Sequence, residues 1–295
     1  MATIAVTGAT GFVGRVLTRA LLEDGHAVRA LVRPGWSGAE PAGAQVVRGD
    51  VRNAAVVRDL LDGASEAVHL AASFAPDDDA AEIIELGTRN MVQAAGSAGV
   101  KKFVYLACLG AESAAHSPFY RAKWKAETLV RFSDVPHLIL RPSLILGPGD
   151  GFTEPLSALI RALPATPVPR GPAPRVQPID VRDVVRCIQI GLTSDIPDGR
   201  ADAGGPMFLT FSQYVDLLSR QLGLLKPKLP LPDRLLATLL PLLPRKSRAV
   251  FAETRLEQFR LGVVASPGVV ASLFGFEPRS ILPEIPAYTA GTPEP

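Results

Sequence analysis

The chain opens on a short apolar run, Thr3–Thr7 (TIAVT), which leads directly into Gly8-Ala9-Thr10-Gly11-Phe12-Val13-Gly14 and an amphipathic stretch over Phe12–Glu23. Glycines at 8, 11 and 14 permit a tight turn, close backbone approach to a pyrophosphate, and close packing of a helix on a strand. A helix that begins there offers unpaired N–H groups and a positive dipole end to phosphate oxygens. The phosphate-holding set is therefore Gly8, Thr10, Gly11, Phe12, Val13 and Gly14. A glycine triplet alone says little, but one placed between an apolar strand and an amphipathic helix is far more specific. The competing reading is a glycine-rich turn that binds nothing.

Up to about residue 150 the pattern keeps alternating. Strand-like runs recur at Ala27–Val32, Gln45–Arg48, 67–72 (AVHLAA), 103–107 (FVYLA) and 137–140 (HLIL), with helical patterns between them, such as 80–98 and 122–132. This spacing predicts βαβ units around a parallel sheet buried on both faces. The second half differs, because most of the 27 prolines fall after residue 150. Proline interrupts ladders and helices, so short helices and loops are expected there. The expected organisation is a doubly wound α/β domain over 1–150 and a small Pro-rich cap made mainly from 151–295, with some segments returning to the sheet. The ligand site is expected at the C-terminal strand ends, under the cap.

Composition narrows the function classes. A net charge of +2 argues against a nucleic-acid partner. Two cysteines, Cys108 and Cys187, exclude a disulfide scaffold. The four histidines show no metal-ligand spacing. A strand pattern that starts at residue 3 leaves no room for a signal peptide, and no apolar run reaches the length of a membrane span. A cytoplasmic location follows as the expectation. The tail from Gly291 to Pro295 is expected to fray.

TGATGFVG resembles the G-x-x-G-x-x-G turn of extended and atypical short-chain dehydrogenase/reductases. Further matching marks follow in order: Gly49-Asp50, VHLAA at 68–72, GTRN at 87–90, KKFVYLA at 101–107 and LRPSLILGPGD at 140–150. Looser C-terminal matches, GGPMFLTFSQYVDLL and ETRLEQFRLGVVAS, resemble bacterial relatives of the nucleotide-binding accessory subunit of respiratory complex I. The resemblance implies a Rossmann fold and a bound dinucleotide. It also implies that Asp50 and Val51 contact the adenine, that Ala71 and Ala72 let the cofactor pass a strand end, and that Pro142 and Ser143 lie near the nicotinamide. Asp50 can alternatively cap a helix from Asn53, and packing alone can explain the two alanines.

In NAD-specific folds the second strand ends in an acid that holds the ribose 2′-OH. Here it ends Leu31-Val32-Arg33, and an arginine at this place suits a 2′-phosphate. NADP(H) is therefore expected over NAD(H), with Arg15 as a second cation. The other reading makes both ordinary surface arginines.

The family's chemistry uses a Ser or Thr, a Tyr, and a Lys four residues after the Tyr. The segment Ser117-Pro118-Phe119-Tyr120-Arg121-Ala122-Lys123 fixes Lys123 as the family lysine. Phe119 occupies the Tyr place, Tyr120 is one residue off, and Ala107-Cys108 supplies no hydroxyl. Lys123, Cys108 and Tyr120 remain the catalytic candidates, with Tyr105 beside them; pocket lining or core packing is the plainer role for Cys108 and Tyr105. Two functions fit: an NADP(H)-dependent reductase acting on a hydrophobic small molecule, or a catalytically silent NADP(H)-holding protein with a protein-complex partner. Residues 220–260 combine excess cations with the leucine-rich run 235–243. That segment suits a lid over an apolar substrate, a peripheral membrane contact, or a cap helix packed on the main domain.

Overall fold

The computed structural model describes residues 1–73, 78–171, 173–239, 249–251 and 253–289. They form two compact units. The first comprises Met1–Pro142, Val181–Ala203 and Val269–Phe276; the second comprises the described residues of 143–180, 204–268 and 277–295.

The first unit is built on a sheet of seven strands, all parallel: β1 Thr3–Thr7, β2 Ala27–Val32, β3 Gln45–Arg48, β4 Glu66–His69, β5 Lys102–Leu106, β6 His137–Pro142 and an edge strand Arg200–Ala203. The spatial order runs from the edge strand through β6, β5, β4, β1 and β2 to β3. Helices α1 Phe12–Glu23, α2 Ala54–Leu61, α3 Asp78–Ala98 and α4 Pro118–Arg131 connect the strands. Val57, Leu60, Ile84, Met91, Phe103, Tyr105 and Ala126 are buried between sheet and helices. The sheet, its parallel sense and its flanking helices are those expected of a doubly wound α/β fold.

Several boundaries differ from the sequence expectation for local reasons. Helix α4 starts at Pro118, four residues early, because the Ser117 side chain accepts from the Phe119 N–H and Pro118 takes the first helical position. Strand β4 ends at His69, leaving Ala71 and Ala72 in the loop beyond it. Asn53, not Asp50, caps α2, accepting from the Ala55 N–H at 3.0 Å. The edge strand Arg200–Ala203 (RADA) buries only Ala201 and Ala203, with no β-branched or aromatic residue to mark it as a strand, and is held by pairing with β6.

The second unit contains strands β7 Ile145–Leu146, β8 Thr166–Pro169 and β9 Ile179–Asp180, a strand at Lys228–Leu231, and helices including Thr153–Ala162, Phe211–Gln221, Asp233–Leu239 and Glu253–Leu261. Several of its helices are short, as expected, with 7, 9 and 5 residues at Asp233–Leu239, Glu253–Leu261 and Ile285–Thr289. The longer Thr153–Ala162 accommodates Pro155 because it sits in the first turn, where a missing N–H costs nothing. Part of the segment expected to form short helices, Lys228–Leu231, is instead a strand parallel to β8. Its prolines are tolerated in this two-stranded sheet, where each strand keeps a free edge. Of the leucine-rich run, residues 240–243 lie outside the described residues, as do the cations at 245, 246 and 248 and the tail from Gly291. Among the described residues no helix is long and apolar enough to cross a membrane.

One buried amide fixes the loop after β3. Asn90 on α3 donates through Nδ2 to the Val51 carbonyl at 3.0 Å and the Arg52 carbonyl at 2.8 Å. Removing it leaves two carbonyls without their donor, so Asn90→Ala is expected to cost about 2 kcal/mol, read as a lower urea midpoint with unchanged slope.

Candidate functional site

The glycine turn has little tolerance for side chains. Gly8 has φ +71°, and a Cβ there would lie 2.9 Å from the Leu70 carbonyl carbon. A Cβ at Gly14 would fall 2.0 Å from the Gly8 carbonyl oxygen, so only glycine allows the first turn of α1 to rest on the end of β1. The Gly11 N–H donates to Gly8 O at 2.9 Å and closes the turn. Gly11 is also the N-cap of α1, with no side-chain cap and no acid in the first turn. The N–H groups of Phe12, Val13 and Gly14 thus lack intrahelical acceptors at the positive end of the helix dipole. This cradle fits a pyrophosphate. Arg15 turns one Nη back to the Thr10 carbonyl at 3.2 Å and braces the loop.

Beneath the turn lies a buried relay that the sequence reading missed. His69 Nδ1 is 2.6 Å from Thr7 Oγ1, and its Nε2 is 3.0 Å from Thr88 Oγ1. Thr88 donates to the Ile84 carbonyl at 2.6 Å, and Thr7 Oγ1 accepts from the Ala71 N–H at 3.4 Å. These roles assign the proton to His69 Nε2, with Thr7 donating to Nδ1. Burial pushes the imidazole pKa down to about 3, so the ring stays neutral. The signal was present as VHLAA and GTRN, whose function as one contact shows only when α3 packs on the sheet.

Arg33 is exposed just past β2, and Asp50 lies just past β3, half-buried. Hydrogen bonding from Arg52 holds the Asp50 carboxyl below its usual range. Val51 is buried, and a Cβ at Gly87 would lie 2.7 Å from its Cγ1, which explains a glycine inside α3. Ala71 is half-buried and Ala72 exposed. Pro142 ends β6 and the first of the three segments that make up the first unit. Ser143 opens the second unit, where its hydroxyl donates to the Val263 carbonyl at 2.6 Å and accepts from the Gln177 N–H at 3.0 Å.

Lys123 is 4% exposed. Its Nζ donates to the Leu106 carbonyl at 2.8 Å and sits 5.0 Å from the Tyr105 ring centroid and 6.0 Å from that of Phe119. Among the described residues it has no ion pair, and desolvation pulls its pKa down to about 8. Phe119 and Tyr120 both pack into the core, their rings edge to face at 5.4 Å. Cys108 is half-buried, and desolvation pushes its thiol up to about 12. Tyr105 is 1% exposed, its hydroxyl has no hydrogen-bond partner among the described residues, and burial raises its pKa well above 10. Farther along α4, buried Glu127 faces Arg141 Nε at 3.4 Å and Arg200 Nη1 at 3.8 Å, tying the helix to two strands.

The lysine has a cost that pH reveals. With a folded pKa near 8 against 10.5 unfolded, the unfolded chain binds more protons between those values, so stability rises with pH across that window. At neutral pH the depression corresponds to about 3 kcal/mol, partly offset by the bond to Leu106. Lys123→Met is expected to be about 2 kcal/mol more stable than the unmodified protein at pH 7, with the gap closing at pH 10.5, as measured by urea unfolding. Equal destabilisation at both values would show that the charge carries no penalty.

Residues 8–155 match the model of a family described as NAD(P)H-binding. The chain is 36% identical over 172 residues to the ceramide reductase of Caulobacter vibrioides, covering 56% of this chain and 53% of that protein. It is 30% identical over 259 residues to sterol demethylase protein B of Methylococcus capsulatus, covering 79% of each. It thus spans about half the length of the first relative and about four-fifths of the second. A UDP-glucose 4-epimerase from Thermotoga maritima shares the fold, with a TM-score of 0.76 at 18% identity over 98% of this chain and 97% of that one. The glycine cradle, the parallel sheet and these likenesses agree that the chain belongs to the NAD(P)H-binding family and has its Rossmann-type fold.

Proposed function

We propose that this chain is an NADP(H)-dependent oxidoreductase that reduces a hydrophobic small molecule. The observation that carries the reading is the retention of a costly buried Lys123 in the same unit as an uncapped glycine cradle. Gly8, Gly11 and the first turn of α1 would hold the pyrophosphate, Asp50 and Val51 the adenine, and Arg33 the 2′-phosphate. When bound, the reduced nicotinamide supplies the two electrons of the reduction. Lys123 orients the ribose through its ammonium, and burial, which brings its pKa down to about 8, makes this same group a readier proton donor than an exposed lysine. Cys108, at about 12, stays a neutral thiol that lines the site.

The likeness to a ceramide reductase and to sterol demethylase protein B supports an apolar substrate. The exposed Leu225, Leu229 and Leu235 in the second unit agree with traffic in apolar molecules or contact with a membrane surface. Cytoplasmic residence, peripheral at a membrane, belongs to the same proposal. The expected cation excess there is smaller in effect, since Lys228 pairs with Asp216 at 2.6 Å and Lys226 donates to the Arg161 and Leu163 carbonyls.

Phe119 supports a second reading: a silent NADP(H)-holding protein, as in the complex I accessory subunit with its protein partners. Phenylalanine gives no proton, and general acid–base help contributes roughly 10²–10⁴-fold. The two readings separate in an assay of NADPH oxidation with long-chain ketones. A reductase turns over slowly, and Phe119→Tyr raises kcat at least about tenfold. Absence of turnover in both proteins, with NADPH still bound, assigns the silent role.

A further inference from the structure

We propose that Arg52 is a specificity-determining residue, cancelling the charge of Asp50 beside Arg33 so that this corner accepts a 2′-phosphate. The inference rests on the reading of Arg33 given above and names what that reading lacks. Val32 and Arg48 are paired across β2 and β3, and the Gly49 N–H donates to the Val32 carbonyl at 3.0 Å. Arg33 and Asp50 therefore emerge from neighbouring strands at the same sheet edge. An exposed cation that is to hold a phosphate thus has a carboxylate as its neighbour. Left uncompensated, that carboxylate opposes a 2′-phosphate far more than a 2′-hydroxyl, at a range where salt screens incompletely.

Arg52 meets this carboxylate on both oxygens. Asp50 Oδ1 accepts from the Arg52 N–H at 2.8 Å and from Nε at 3.0 Å, and Oδ2 accepts from Nη2 at 2.9 Å. The guanidinium then reaches α3, with Nη1 3.2 Å from Asp79 and 3.2 Å from Glu82. One cation faces three carboxylates, and its loss leaves Asp50 uncompensated beside Arg33. Arg33 itself forms no ion pair among the described residues and keeps its charge for a ligand. A lysine at 52 keeps the charge but not the fork that grips both oxygens.

A purely structural arginine, stapling the loop after β3 to α3, weakens both dinucleotides alike; a masking arginine changes their ratio. The experiment is titration of NADPH and NADH at fixed ionic strength against the unmodified protein, Arg52→Gln, Arg52→Lys, Arg52→Gln with Asp50→Asn, and Arg33→Ala. The proposal expects Arg52→Gln to weaken NADPH about tenfold and NADH less than about threefold. Arg52→Lys should hold the ratio, and the added Asp50→Asn should restore it. Equal loss of both dinucleotides, or an unchanged ratio in Arg52→Gln, overturns the proposal; if Arg52→Gln does not fold, a fallen ratio in Arg52→Lys overturns it. An Arg33→Ala variant with the unmodified ratio defeats the reading of Arg33 alone, because the shift caused by Arg52→Gln is read independently.

Discussion

The first turn of α1 rests on the carbonyl of Gly8 so closely that a methyl group at residue 14 would sit 2.0 Å from that oxygen. Much else follows from this contact. It brings α1 down on the end of β1, with Gly11 as a cap without a side chain and the N–H groups of Phe12, Val13 and Gly14 without intrahelical acceptors. The loop after β4 must pass close by, since a Cβ at Gly8 would lie 2.9 Å from the Leu70 carbonyl carbon and 3.0 Å from the Ala71 nitrogen. The His69 relay answers that constraint by clamping Thr7 to Thr88 and the loop N–H of Ala71 to Thr7. A charged histidine there would upset the relay's donor order, and burial keeps the ring neutral.

The second feature is a charge kept where solvent cannot reach it. Lys123 gives up solvation for one carbonyl bond and two aromatic faces. Fold stability alone favours a neutral side chain at this place, and the proposed dinucleotide, whose ribose the ammonium would orient, would account for its presence. With Phe119 in the core, α4 presents the lysine without the tyrosine that the short-chain reductases place beside it. In the proposed reductase the chemistry would rely on orientation and on Lys123, which predicts modest turnover.

Local signals were readable where one segment decides its own structure. TIAVT, the helix from Phe12 to Glu23, AVRALV and QVVR form with the bounds that periodicity implies. Lys123 was readable because SPxxRxK is a local pattern. What was not readable depends on partners distant in the chain. Arg200–Ala203 is a strand because β6 offers an edge, and Lys228–Leu231 is one because β8 does. Asn90 and His69 gain their roles across separations of 19 to 62 residues, and Arg52, which grips its near neighbour Asp50, reaches α3 across 27 and 30. Helix α4 began earlier than its apolar pattern because the Ser-Pro start signal lies outside that pattern.

Hydrogen–deuterium exchange across residues 8–16, with and without saturating NADPH, reads the central contact most directly. Phosphates seated on the first turn of α1 would slow exchange of the Phe12, Val13 and Gly14 amides by more than about tenfold, because those amides lack acceptors in the helix itself. NADPH bound with exchange there unchanged would mean that the dinucleotide sits elsewhere, and that the glycine turn serves packing alone.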